Sequence, residues 1–251
     1  MYFWNLLLNI CMLSLKRYIF VSSFLFFSAS IFGQSYWFGT KLGGAMSFQS
    51  WGDGTSGGGL NRDPLFSING DIVVESYDEF KRGALYASLG YHTRGSSIQF
   101  FSFNNAFSAR QGYKFNNIVL ELGAKRSLNL SKDFDPYFII GIRGEYTLNT
   151  NLKDLEFLNN PYTPNDVFVR KFNYGVTAGG GFEMEMSELS NVFFEFSLQP
   201  DLSFQYESPP ASVIDPFQMG QTIELPLRRV RNVSLELKVG IKFLRKVEYI
   251  D

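Results

Sequence analysis

The feature that most constrains this chain is a two-residue alternation of apolar and polar side chains, repeated through eight segments from Ser35 onward. Successive side chains of a β-strand point to opposite faces, so this period marks strands that meet two unlike environments. The clearest segment sets Ile118, Leu120, Leu122 and Ala124 against Asn117, Val119, Glu121, Gly123 and Lys125. A second sets Phe172, Tyr174, Val176, Ala178, Phe182 and Met184 against Lys171, Asn173, Thr177, Gly179, Gly181, Glu183 and Glu185. The last sets Val233, Leu235, Leu237, Val239, Ile241 and Phe243 against Ser234, Glu236, Lys238, Gly240 and Lys242. Noisier strands are predicted over 35–49, 65–79, 84–101, 136–149 and 192–206. Tyr137–Ile140 and Val192–Phe194 break the alternation. Pro200 cannot donate a ladder hydrogen bond, so it marks a bulge or a part of its strand beyond the bilayer.

The connections add an independent signal. Links two–three, four–five and six–seven are short, roughly Phe80–Gly83, Ser131–Asp135 and Ser187–Asn191, whereas the four others are long. Tight turns on one side and long loops on the other are what an up-and-down membrane barrel produces. The expected fold is therefore all-β, an eight-stranded antiparallel up-and-down transmembrane β-barrel, with both termini and the short turns in the periplasm. The loops over 50–64, 150–170 and 207–227 would be its outer working surface.

Composition fits this reading. A hydrophobic share of 45% is low for a helical membrane protein, but in a barrel the lipid-facing and lumen-facing residues cancel. Aromatic residues reach 17%, with 27 Phe and 13 Tyr, and barrels gather rings at the two bilayer interfaces. Tyr36, Trp37, Phe134, Tyr137, Phe243 and Tyr249 fall near the inner interface. Phe48, Trp51, Phe101, Phe103, Tyr113, Tyr146, Phe172 and Tyr206 fall near the outer one. Alternation alone also describes a soluble lipocalin-like barrel turned inside out; export, ring placement and loop parity favour the membrane.

Residues 1–34 read as a signal peptide. Lys16 and Arg17 precede the apolar run Tyr18–Phe32, and Gly33 offers a small residue before Gln34, with Met1 or Met12 as initiator. A retained transmembrane anchor is the alternative, but the run is shorter than a full span. The domain proper is then 35–251. Cys11 is the only cysteine and lies in the leader, so the mature chain has no disulfide or thiolate metal site. The net charge of −1 leaves no electrostatic footprint for nucleic acid or anionic lipid. No cofactor is expected.

The polar faces converge on the lumen with Lys41, Asp71, Glu75, Arg94, Glu121, Lys125, Arg143, Glu145, Glu183, Glu195, Glu236, Lys238 and Lys242. Charges packed there must pair, and the near balance of signs predicts an interlocking ion-pair plug. Inward glycines (Gly39, Gly43, Gly90, Gly123, Gly141, Gly179, Gly181 and Gly240) leave room for a solute or proton path instead, or serve to bend the strands. His92, the only histidine, is expected on the inward face. The competing reading makes it catalytic with Ser96 or Ser97 at the outer rim.

The segments Ser30–Gln34, Tyr36–Gly44, Gly90–Ser96, Asn116–Leu128, Asp135–Leu148 and Arg228–Phe243 together resemble the small outer-membrane β-barrel proteins of the Bacteroidota, including PorT-like barrels. The resemblance implies an eight-stranded barrel in outer-membrane lipid, inserted by the barrel assembly machinery through the strand ending at Phe243. PorT-like relatives are tied to type IX secretion, and an accessory role in that pathway is an alternative only, since no motif in the chain singles it out. The expected role is that of a non-enzymatic envelope scaffold or accessory component meeting a protein partner at its extracellular loops. The alternatives are a small-solute binding or transport barrel and a lipid A-modifying enzyme using His92.

Overall fold

The computed structural model describes residues 35–52, 62–78, 83–101, 108–128, 134–154, 164–214 and 220–247. The expected signal peptide, Phe103 and Tyr249 lie outside the described residues, as do most of the short turns at 79–82 and 129–133.

Eight long strands follow one another around a ring: β1 (Tyr36–Gly52), β2 (Arg62–Ser76), β3 (Ala84–Phe101), β4 (Ser108–Ser127), β5 (Asp135–Thr150), β6 (Phe172–Ser187), β7 (Ser190–Pro200) and β11 (Arg228–Arg245). Each pairs antiparallel with its sequence neighbour among these eight, and β1 pairs with β11 from Tyr36↔Arg245 to Gly52↔Arg229 to close the cylinder. The short strand β8 (Tyr206–Ser208) extends β7 alongside β11, while β9 (Ala211–Ile214) and β10 (Thr222–Leu225) form a separate hairpin.

The alternation becomes two faces. Outward stand large exposed apolar side chains, among them Leu42 at 63%, Ile68 at 74%, Leu85 at 72%, Ile142 at 66% and Leu237 at 63%. In water such a continuous belt would be an aggregation surface; in a bilayer it is the solvated face. The inward parity holds the buried polar residues.

Three local outcomes differ from the sequence-based expectation or sharpen it. Pro200 ends β7, and the ladder resumes only at Tyr206↔Val230, so the strand bulges over 201–205. The long loop expected between the third and fourth strands shrinks, because β3 and β4 stay paired out to Phe101↔Ser108 and six residues remain between them. The hairpin simply continues past the bilayer, since about 10 residues of tilted strand suffice to cross it and β4 has 20. The apolar breaks are no breaks in the strand either. Tyr137 and Ile139 point inward at 4% exposure each while Phe138 and Ile140 point out at 46% and 62%.

Candidate functional site

The lumen is built in layers, because each strand contributes one inward residue in two. At the periplasmic end Lys125 and Lys242 alternate with Glu75 and Glu183 in a closed square of four contacts, at 3.3, 2.5, 3.1 and 2.8 Å. Trp37 lies against it, with the Lys242 ammonium 4.7 Å from its ring centroid. Above it Val73, Tyr86, Tyr137, Ile139 and Phe193 form a small apolar core. Gly123 and Gly240 face this core because a Cβ at either position would run into the ring of Tyr86 or Phe193 respectively. Beside the core Lys41 Nζ stands 2.7 Å from Glu195, and the Tyr86 hydroxyl donates to Glu121 at 2.5 Å.

The middle of the barrel is mostly polar, with Ala45 and Val119 buried among its charges. His92 sits between Asp71 (Nε2–Oδ1, 2.8 Å) and Glu236 (Nδ1–Oε1, 3.1 Å), and Lys238 bridges the same two carboxylates at 2.7 and 2.5 Å. One step higher Arg94 donates to both oxygens of Glu145, at 2.8 and 3.0 Å, and to Gln199 at 2.8 Å. Arg143 joins Glu145 to Asp201, at 2.5 Å each. An amide layer of Gln49, Asn232 and Gln205 follows, with Gln49 donating to Asn232 at 2.9 Å and Asn232 to Gln205 at 2.5 Å. Buried ions are tolerated when they are paired, and here the oppositely charged partners come from strands far apart in the chain; His92 Nδ1 and Asp71 Oδ2 have charged neighbours but no aligned hydrogen bond.

At the extracellular end the lumen is capped by rings. The Arg62 guanidinium lies 3.6 Å from the Trp51 ring centroid, and Trp51 stands 6.0 and 5.7 Å from Tyr113 and Tyr206. Tyr113, Phe115, Leu152 and Tyr206 are buried at this end.

All thirteen charged residues expected in the lumen face it. The structure corrects the interface assignment of five rings: Trp37 and Tyr137 close the periplasmic end from inside, and Trp51, Tyr113 and Tyr206 the other. Their strands place them on the inward parity near the ends, where the bore would otherwise admit water. Phe48, Phe134, Tyr146, Phe172 and Phe243 do face outward, at 39–77% exposure. Asp201 was missing from the expected set; it continues the inward series Glu195, Ser197, Gln199, a count that Pro200 obscures. His92 is 1% exposed inside the barrel and Ser96 donates to Gln49 at 2.7 Å, so the two do not meet at the rim.

A closed strand cylinder with a lipid-facing apolar wall and an ion-paired bore is an integral barrel of the outer membrane. The family profile described as "Outer membrane protein beta-barrel domain" matches residues 32–206, and the chain belongs to that family. Among solved structures the chain is similar to OprG from Pseudomonas aeruginosa, at 11% identity and TM-score 0.49, covering 84% of this chain and 96% of that one. Neisserial surface protein A aligns at 10% identity and TM-score 0.43, covering 83% and 96%. Outer membrane protein W of E. coli aligns at 14% and 0.33, covering 81% and 96%. No curated protein matches the chain in sequence.

Proposed function

We propose that this chain is a sealed, non-enzymatic barrel serving as a scaffold or accessory component of the envelope, presenting its extracellular hairpins and loops to a protein partner. The observation that carries this reading is the state of the bore. Arg94, Arg143, Glu145, Glu236 and Lys238 are each 3% exposed or less, and all are engaged with one another or with neighbouring amides. The void left beside Lys41, Tyr86 and Phe193 is about 20 Å³, roughly the space of one water. A solute path would have to part several buried ion pairs at once.

The transport reading has one feature in its favour, a cleft at the periplasmic mouth lined by Trp37, Tyr77, Lys125, Tyr137 and Lys242. Phe193 and Tyr86 stand beyond it in the next layer, so it is a dead end. What remains free is the outer end, where β3 with β4 and β9 with β10 project beyond the ring cap.

Reconstitution in planar bilayers tests the reading, with no stable conductance expected. Replacing the loops at 53–61, 155–163 and 209–227 by short turns should keep a heat-modifiable barrel and abolish its envelope role. Steady conductance, or full function without the loops, would refute it. The finer assignment to PorT-like barrels rests on the sequence resemblance; it predicts that a deletion strain loses secreted type IX cargo.

A further inference from the structure

On the outer wall, at its extracellular edge, two arginines interrupt the apolar belt. Arg229 and Arg231 point outward from β11, and their cross-strand neighbours on β1 are the small residues Gly52 and Ser50. Phe204 flanks them, with the two guanidinium carbons 5.0 and 4.3 Å from its ring centroid. Because Ser50 and Gly52 carry so little side chain, the wall is hollow here: these residues and Leu227 line a depression of about 430 Å³.

The height of this depression follows from the register. Along β1 and β11 the outward residues are uncharged from Phe38↔Phe243 to Phe48↔Val233. Ten residues rising about 3.3 Å each, on strands tilted about 40°, span about 25 Å, the height of the apolar band of an outer-membrane barrel. Ser50 and Arg231 are the next outward pair, so the guanidinium stands where the outer-leaflet headgroups begin.

The charge there is in excess. Glu207 is the carboxylate shared by Arg170 and by Arg229, the latter at 2.9 Å. Among the described residues Arg231 has the face of Phe204 and no carboxylate. A guanidinium held by its face on a ring keeps its N–H edge free, and that planar fork matches phosphate oxygens.

We propose that Arg231 and Arg229, set on Phe204, bind a phosphate group of a phosphorylated glycolipid in the outer leaflet. The proposal rests on the barrel's orientation in the membrane and not on a sealed lumen, so either can fail without the other. Arg231 is the main ligand, Arg229 is held in place by Glu207, and the depression beside Ser50 and Gly52 admits the sugar headgroup.

The test is native mass spectrometry of the folded full-length barrel in detergent, with bisphosphorylated lipid A, its dephosphorylated form and inorganic phosphate as three separate probes. The bisphosphorylated lipid should stay bound, and the R229Q/R231Q variant should hold it at least roughly tenfold less, since losing the charge-assisted contact of Arg231 alone implies about that factor. R231K, which keeps the charge and loses the fork, should fall between, and F204L should weaken binding several-fold. Heat-modifiable migration checks that each variant is folded; these positions lie at the interface, where polar exchanges leave the barrel standing. Equal binding by R229Q/R231Q, or equal retention of the dephosphorylated lipid, would overturn the proposal. Displacement of the lipid by inorganic phosphate at matched concentration would also overturn it, by making this an ion site.

Discussion

Glu145 is the point at which the lumen can be tested most sharply. Its carboxylate accepts from Arg94 at 2.8 and 3.0 Å, from Arg143 at 2.5 Å and from Asn117 at 2.6 Å. Glu145→Gln keeps the shape and removes the charge. Arg143 retains Asp201, but Arg94, fully buried, is left with Ser234 and Gln199 and no carboxylate in contact. Stripping the partner from a buried ion costs about 3–5 kcal/mol. With a urea slope of about 2–3 kcal/mol per molar for a domain of this size, the midpoint should fall by about 1–2 M. Unfolding of the reconstituted barrel can be followed by the fluorescence of Trp37 and Trp51, which sit at opposite ends of the bore. Adding Arg94→Met removes the orphaned cation, and the double variant should recover about 2 kcal/mol of the loss. A Glu145→Gln barrel within about 1 kcal/mol of the parent, or a double variant no better than the single one, would refute the claim that this pair is desolvated and mutually dependent.

Leu237→Arg, at an outward position 63% exposed, should cost about 2–4 kcal/mol in lipid vesicles; an effect under about 0.5 kcal/mol would mean that this face meets water. Gly240→Val should destabilise by about 1–3 kcal/mol through overpacking against Phe193. Adding Phe193→Ala should restore much of that, which thermal melting of both variants would show. Phe193→Ala combined with Tyr86→Ala should enlarge the void beside Lys41 without raising ion leakage from vesicles, because the ion-paired layers around His92 and Arg94 remain as a second seal; a rise in leakage would refute that.

Much of this fold was legible because the period of two is a local property. Ile118–Lys125 and Val233–Phe243 could be assigned to faces residue by residue, and the structure keeps those faces. Rings were harder, since Tyr137 is apolar enough for either side when Phe138, Ile139 and Ile140 surround it. Only the register against Gly181 and Ser127 fixes it inward. Partners were out of reach for a different reason. Lys41 and Glu195 are 154 residues apart, and nothing in either neighbourhood names the other. The outward arginines were visible in the run Arg228–Arg231, but their neighbours Ser50, Gly52 and Phe204 come from elsewhere in the ring.

The wiring of the bore constrains how such a chain can be put together. Asn69 of β2 reaches Glu236 of β11, Arg94 of β3 reaches Gln199 of β7, and Gln49 of β1 reaches Asn232 of β11. The first and third of these ties wait for the final strand, as do the ion pairs of Lys238 and Lys242 on β11. A partly zipped sheet would therefore show a column of bare ions along one side, unable to rest against acyl chains. Maturation is consequently all or nothing: the first and last strands must meet before the wall can settle into lipid, and a chain that stalls earlier stays wet and open to proteases.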